Sequence, residues 1–204
     1  MKAERKNSRV ITVAENKFDL NKEAMTGNDV VMTGWAGLAG TVIVAKEKEW
    51  VLNKRFSPTF IKKVLSLEEY RDITEDKKTA LKAGASAVYE IKDSGIFGAL
   101  WDAAQDFGAG LDIDLYRIPI RQETIEVSEL FEINPYKLLS TGSLLIMTDR
   151  GYDLVREYER AGRKAAVIGK VTEGNDRVVF YDEKKRFLEP PGQNELDKIH
   201  AYII

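Results

Sequence analysis

The chain has 204 residues, with 31 Lys and Arg against 33 Asp and Glu and a formal net charge of −2, so it carries no overall field to attract nucleic acid or an anionic membrane. Cysteine is absent and histidine occurs once, as His200 near the C-terminus, which excludes disulfides, thiolate catalysis and cysteine-ligated metal and leaves a histidine triad only a terminal tail to stand on. No apolar run approaches the roughly 20 residues that cross a bilayer, and MKAERKNSRV lacks the apolar core of a signal peptide; a cytoplasmic location is expected, with neither nucleic acid nor membrane as partner.

Taken in order, Met1–Arg9 is polar and charged, Val10, Ile11 and Val13 have the pattern of a short strand, and Asn16–Met25 reads as a connector. Residues 1–26 are therefore expected to be an N-terminal extension. Asp29–Thr33, DVVMT, bounded by Gly27-Asn28 and Gly34, predicts a buried strand. It enters GWAGLAGT, after which Val42–Leu52 has helical periodicity. Pro58 opens a further helix, PTFIKKVLSLEEY, and Thr74–Ala83 another. Ser86–Ile91 alternates as a strand, and Ile96–Phe107 carries Phe97, Leu100, Trp101, Ala104 and Phe107 on one helical stripe, capped by Asp93 or Ser94 and stopped by Gly108 and Gly110.

Leu111–Ile118 predicts a strand with Asp112 and Asp114 on its polar face. Glu123–Phe131 predicts a helix, Pro135–Leu139 a helical turn and LLIMT an apolar strand. Asp149 is placed to cap a helix over Tyr152–Ala161 that Gly162 ends. Ala165–Val171 and Arg177–Tyr181 predict two strands of a hairpin turning through Thr172–Asp176. Pro190-Pro191-Gly192 breaks the pattern ahead of a terminal helical piece, Asn194–Ala201, in a tail over 190–204. Helices alternate with strands without an internal linker or repeat, so the expected fold is one α+β domain, a mixed sheet covered by helices.

Two stretches have the chemistry of an anion site. Gly34, Gly37 and Gly40 stand three apart between a strand and a helix, followed by Thr41; Ser94, Gly95 and Ile96 stand at the start of the Ile96–Phe107 helix. A helix N-terminus beside a strand end offers free backbone amides to a phosphate. The first spacing matches neither the P-loop nor the dinucleotide fingerprint, and close helix packing is the competing reason for those glycines. Glu90 and Asp93 are the nearby carboxylates with weak claims to catalysis, Asp93 as a possible Mg²⁺ ligand.

Three segments together, GNDVVMTGWAGLAGT, SGIFGALWDAAQDFGAGLDIDLYRIPIRQET and INPYKLLSTGSLLI with AAVIGKVTEGNDRV, resemble the C-terminal domain of the aminoimidazole-ribonucleotide (AIR) synthetase superfamily, also called PurM-like. That superfamily includes formylglycinamidine-ribonucleotide synthetase, selenophosphate synthetase, thiamine-monophosphate kinase and a hydrogenase-maturation factor; the branch called AIR synthase-related or hydrogenase expression/formation protein is the one it looks most like. The resemblance covers residues 27–189. It implies an α/β/α, partly ferredoxin-like fold, and a cleft that full-length members form with a preceding domain supplying most ATP and Mg²⁺ ligands. That preceding domain is expected to be missing. Family members often carry Asp-x-Thr-Asp/Glu-Gly-Gly before the helix, where this sequence has Glu90, Lys92, Asp93, Ser94 and Gly95; a cation for a hydroxyl and a side chain at the closest backbone approach alter a phosphate site.

The resemblance implies a stand-alone domain that binds a phosphorylated or nucleotide-like ligand, or a partner protein, without catalysis of its own. Alternatives are one half of an ATP-dependent, Mg²⁺-using enzyme completed by a separate ATP-binding-domain protein, and a dimerising structural module whose face includes Trp35 or Trp50.

Overall fold

Asp29–Thr33 (β1) has no exposed residue, as the unbroken apolar run requires, and the sheet grows outward from it on both sides. The computed structural model describes residues 25–200. In it β1 pairs antiparallel with Leu144–Thr148 (β4) and with Ala165–Thr172 (β5). Ala87–Glu90 (β2), Gly110–Asp114 (β3), Arg177–Tyr181 (β6) and Lys184–Phe187 (β7) complete a seven-stranded mixed sheet in the order β2-β4-β1-β5-β3-β6-β7. A bulge at Val30/Val31 shifts the β1–β5 register, so that Ile168 and Val171, three residues apart on one strand, share a core.

Period-two alternation sorts the strand side chains into two layers. Val30, Met32, Tyr89, Leu145 and Met147 face one side, where the helix Gly95–Phe107 (α5) lays Ile96, Leu100, Ala103, Ala104 and Phe107 upon them. Val31, Val88, Leu144 and Ile146 face the other, covered from Thr74–Lys82 (α4) and Gly151–Arg160 (α7) by Ala80, Leu154 and Tyr158. Each fully buried aliphatic side chain contributes about 1.5–3 kcal/mol. A third cluster joins Leu38–Glu47 (α1), Glu49–Arg55 (α2), Pro58–Ser66 (α3), Gln122–Leu130 (α6) and Glu195–His200 (α8) through Val44, Leu52, Val64, Val127 and Ile199, together with Ile133 and Leu138 of the segment after α6. No helix among the described residues is long and apolar enough to cross a membrane.

The structure departs from the sequence reading at four places. The segment read as one helix over Val42–Leu52 is α1 and α2, divided at Lys48. The strand expected to reach Ile118 stops at Asp114, whose carboxylate accepts from the Tyr116 amide and turns the chain into a single 3₁₀ turn, Leu115–Arg117. Ala165–Val171 and Arg177–Tyr181 are not a hairpin, because β3 lies between them, antiparallel to β5 and parallel to β6. The true hairpin is β6–β7, turning through Asp182 at φ 52°. The terminal helical piece expected over Asn194–Ala201 is present as α8, whereas the strand expected at Val10–Val13 lies outside the described residues.

The fourth departure concerns helix caps. Neither Asp93 nor Ser94 caps α5 with its side chain, and Asp149 does not cap α7. A long-range group replaces Asp149: Asp29 Oδ2, from β1, accepts the Gly151 amide at 3.2 Å. An acidic acceptor at a helix N-terminus is favourable both as a hydrogen bond and against the helix dipole. Asp29→Ala is therefore expected to lower stability by about 1–2 kcal/mol, while Asp149→Ala stays within roughly 0.5 kcal/mol; urea denaturation of the two variants side by side checks the assignment.

Candidate functional site

Both stretches with anion-site chemistry meet one strap, residues 134–143. From the first, the Gly37 amide donates to Ser140 Oγ at 2.8 Å, the Trp35 amide to Ser143 Oγ at 3.1 Å and the Gly40 amide to the Leu139 carbonyl at 2.9 Å. Gly34 donates to the Lys164 carbonyl. Thr41 is buried and its hydroxyl donates to the Gly37 carbonyl. A Cβ at Gly40 would lie 2.4 Å from Leu138 Cγ, so this glycine lets α1 and the strap touch. Four amides of this stretch, those of Gly34, Trp35, Gly37 and Gly40, therefore already have partners within the chain.

From the second stretch, the Gly95 amide donates to the Lys92 carbonyl and the Phe97 amide to the Tyr136 carbonyl, while Ile96 is buried in the main core. Ser94 is half-buried at the turn and Asp93 is exposed. Glu90 is half-buried between two cations, with Lys77 Nζ at 3.5 Å and Lys92 Nζ at 3.8 Å. Among the described residues no group of three or more His, Asp or Glu is positioned to hold a metal ion. Of the two tryptophans named for a dimerising face, Trp35 packs edge-on to Tyr70 with Arg121 above it, and Trp50 is 48% exposed beneath the Lys54 ammonium.

The strap does leave an opening on its far side. A cavity of about 530 Å³ lies between the first turn of α5, the strap and the β6–β7 hairpin. Phe97 and Tyr136 stack as one wall with centroids 5.2 Å apart and planes at 13°. Leu115, Val179 and Leu188 also line it, as do Tyr181 and Phe187 of the hairpin. Lys137 and Arg186 bring positive charge, with Lys137 Nζ 3.3 Å from Glu189 Oε2. Volume, concavity and an apolar lining with few polar groups are the features of small-molecule sites.

Electrostatics at the wall follow from burial and contact. Burial, and then the nearby Tyr181, push the Tyr136 phenol above its ordinary range; like any phenol at neutral pH it offers a hydrogen-bond donor as well as a ring face. Next to the hairpin, Tyr116 stacks on Tyr181 with centroids 5.2 Å apart and donates to Asp182 Oδ1 at 2.7 Å. That hydrogen bond, the largest cause, also raises the Tyr116 phenol. The ring pair ties the 3₁₀ turn to the hairpin that walls the cavity.

Sequence reasoning came within one residue of this cavity at Ile96 but missed it, since its walls come from α5, the strap, the 3₁₀ turn and β6–β7. The available signal was NPYK at 134–137 followed by the aromatic and basic VVFYDEKKRF at 178–187.

Comparison with known proteins places the fold. The family model described as AIR synthase related protein, C-terminal domain, matches residues 25–182. The phosphoribosylformylglycinamidine synthase subunit PurL of Thermoanaerobacter sp. (strain X514) is 25% identical over 186 residues, 88% of this chain and 23% of that protein. Crystalline E. coli HypE, a hydrogenase maturation protein, superposes with a TM-score of 0.71 at 18% identity, over 91% of this chain and 56% of that one. Thiamine monophosphate kinase from Aquifex aeolicus gives a TM-score of 0.55 at 22% identity, over 79% and 52%. The chain spans about a quarter of the curated relatives it matches and about half of these solved chains. With the family model covering most of the chain, from β1 to the turn after β6, the protein belongs to the AIR synthase-related family, as its C-terminal domain.

Proposed function

We propose that the protein is a binding domain that holds a phosphorylated, nucleotide-like small molecule in the cavity between α5, the strap and the β6–β7 hairpin, without catalysis of its own. The observation that carries this reading is the stacked Phe97–Tyr136 wall facing an apolar chamber with Lys137 and Arg186 among its lining. An aromatic face accepts a heterocycle by stacking, and the two cations attract a phosphate. Two solved proteins of the same fold support the ligand class, a HypE structure in complex with ATP and AaThiL complexed with AMPPCP and TMP.

Isothermal titration with ATP, ADP and ribonucleotide monophosphates tests the proposal. Heat is expected with at least one of them, and Tyr136→Ala is expected to weaken that binding roughly 5- to 150-fold, the range for one aromatic–base stack. Absence of heat with every nucleotide sinks it.

A second reading, in which the domain is one half of an ATP-dependent enzyme completed by a separate ATP-binding domain, draws on its coverage of about half of the HypE chain. Mg-ATP hydrolysis that appears only on mixing with such a domain separates this reading from the first.

A further inference from the structure

Among the described residues β7 has β6 on one side and no strand on the other, and Lys184, Lys185, Arg186 and Phe187 are all exposed. A free edge presents backbone N–H and C=O groups that can pair with another strand. Lysines on an edge ordinarily deter such pairing, but deterrence does not call for aromatic rings, and here Phe187 is 60% and Tyr181 43% exposed. Lys185 Nζ lies 5.1 Å from the centre of the Phe187 ring, so charge and apolar surface form one patch.

We propose that the β7 edge is a docking site for an acidic, extended segment of a partner protein, which adds to the sheet as a further strand. Charge complementarity selects the occupant. Facing residues of an antiparallel pair lie on the same side of the sheet, and opposite charges there are favourable while like charges are not. A second copy of this chain is the wrong occupant: two-fold pairing centred on Lys185 sets Lys185 against itself and Lys184 against Arg186, and pairing centred on Arg186 sets Arg186 against itself. An alternating acidic and apolar strand instead places carboxylates opposite Lys184 and Arg186 on one face of the sheet, and rests an apolar side chain on Phe187 on the other. Nucleic acid cannot hydrogen-bond along a strand edge in this register, and the chain's net charge of −2 gives it no general attraction. Strand addition of this kind draws affinity from main-chain hydrogen bonds and specificity from side chains on alternate positions.

Fluorescence polarisation with a labelled, end-blocked octapeptide alternating glutamate and valine tests the proposal on the full chain. Saturable binding is expected, weakening about tenfold or more between 0.1 and 1 M salt as the Debye length falls from about 10 to about 3 Å. Amide exchange is expected to slow at residues 184–187 on binding. The double variant Lys184→Glu/Lys185→Glu, neither residue of which lines the cavity, is expected to lose affinity about tenfold or more and to accept a lysine–valine peptide instead. If that variant fails to fold, the two peptides compared on the parent chain decide. Equal binding of both peptides, no saturation at millimolar peptide, unchanged affinity in the folded double variant, tighter binding of a single-stranded oligonucleotide, or a dimer through β7 in light scattering each overturns the proposal.

Discussion

Replacing Arg163 by methionine is expected to cost about 3 kcal/mol of folding stability, the low end of the range for removing one partner of a buried ion pair, because the Arg163 side chain is 32% exposed while that of Asp76 is 3% exposed. Asp76 is 2% exposed in the first turn of α4. Its two oxygens accept from Arg163 Nε at 2.9 Å and Nη2 at 2.8 Å, a bidentate fork that methionine cannot reproduce. The same Nη2 donates to the Asp72 carbonyl at 2.6 Å, and the buried Tyr158 hydroxyl donates to the Asp76 carbonyl at 2.7 Å. Asp76 is the first cause holding the Arg163 guanidinium above its ordinary range.

Arg163 follows α7 just before β5, so the cluster fastens α4 and α7 together over the second face of the sheet. Losing the guanidinium leaves a carboxylate with little access to water, and the penalty is that of the stranded charge rather than of the pair. For a chain of this size the loss corresponds to a thermal midpoint lower by roughly 6–12 °C. The double variant Asp76→Leu/Arg163→Met removes the stranded charge and is expected to recover much of the loss. Equal destabilisation of the single and double variants in calorimetry would show that packing, not charge, dominates there.

Much of the fold was legible where the forces are local. DVVMT and LLIMT are buried on both faces and coincide with β1 and β4, because a short apolar run, VVM or LLIM, bounded by turn residues has few other solutions. Ser57-Pro58 started α3 where the cap chemistry says it should, with Ser57 Oγ accepting the Phe60 amide. What failed was decided at a distance. The false hairpin arose because sequence proximity favours pairing neighbours, while β3, more than sixty residues before β6 in the chain, took that place through parallel pairing from Leu111↔Arg177 to Asp114↔Phe180. Asp149 was a sound local cap that lost to Asp29, a residue 122 positions from Gly151.

The candidate site shows the same division. The glycines at 34, 37, 40 and 95 stood out for needing no side chain, which is equally true of a phosphate cradle and of a tight crossing; at each of the four an atom of the strap at 134–143 stands within 3.0 Å of where a Cβ would be, so close packing accounts for them. β7 was overlooked because KKRF has no apolar alternation to report, and with β7 went the cavity wall and the docking edge.

Gly95→Ala provides the sharpest measure of that strap, with an expected cost of about 2–5 kcal/mol. Two causes add. Gly95 holds φ +63°, where an L-residue costs about 1–2 kcal/mol. Its missing Cβ would stand 2.5 Å from the Tyr136 carbonyl oxygen and 2.8 Å from that of Leu138, both backbone atoms, so relief requires moving the strap and costs a further 1–3 kcal/mol or so. Gly108, at the other end of α5, isolates the first cause: φ is +64° and nothing lies within 4 Å of its Cβ position, so Gly108→Ala should cost only about 1–2 kcal/mol. The difference between the two, read from chemical denaturation, is the steric term. The same displacement moves Tyr136 away from Phe97, so Gly95→Ala is expected to lose nucleotide heat in titration under conditions where it remains folded, while Gly108→Ala retains it. Equal costs in the two variants would mean that the strap yields freely, and the Phe97–Tyr136 wall would then be no rigid platform for a ligand.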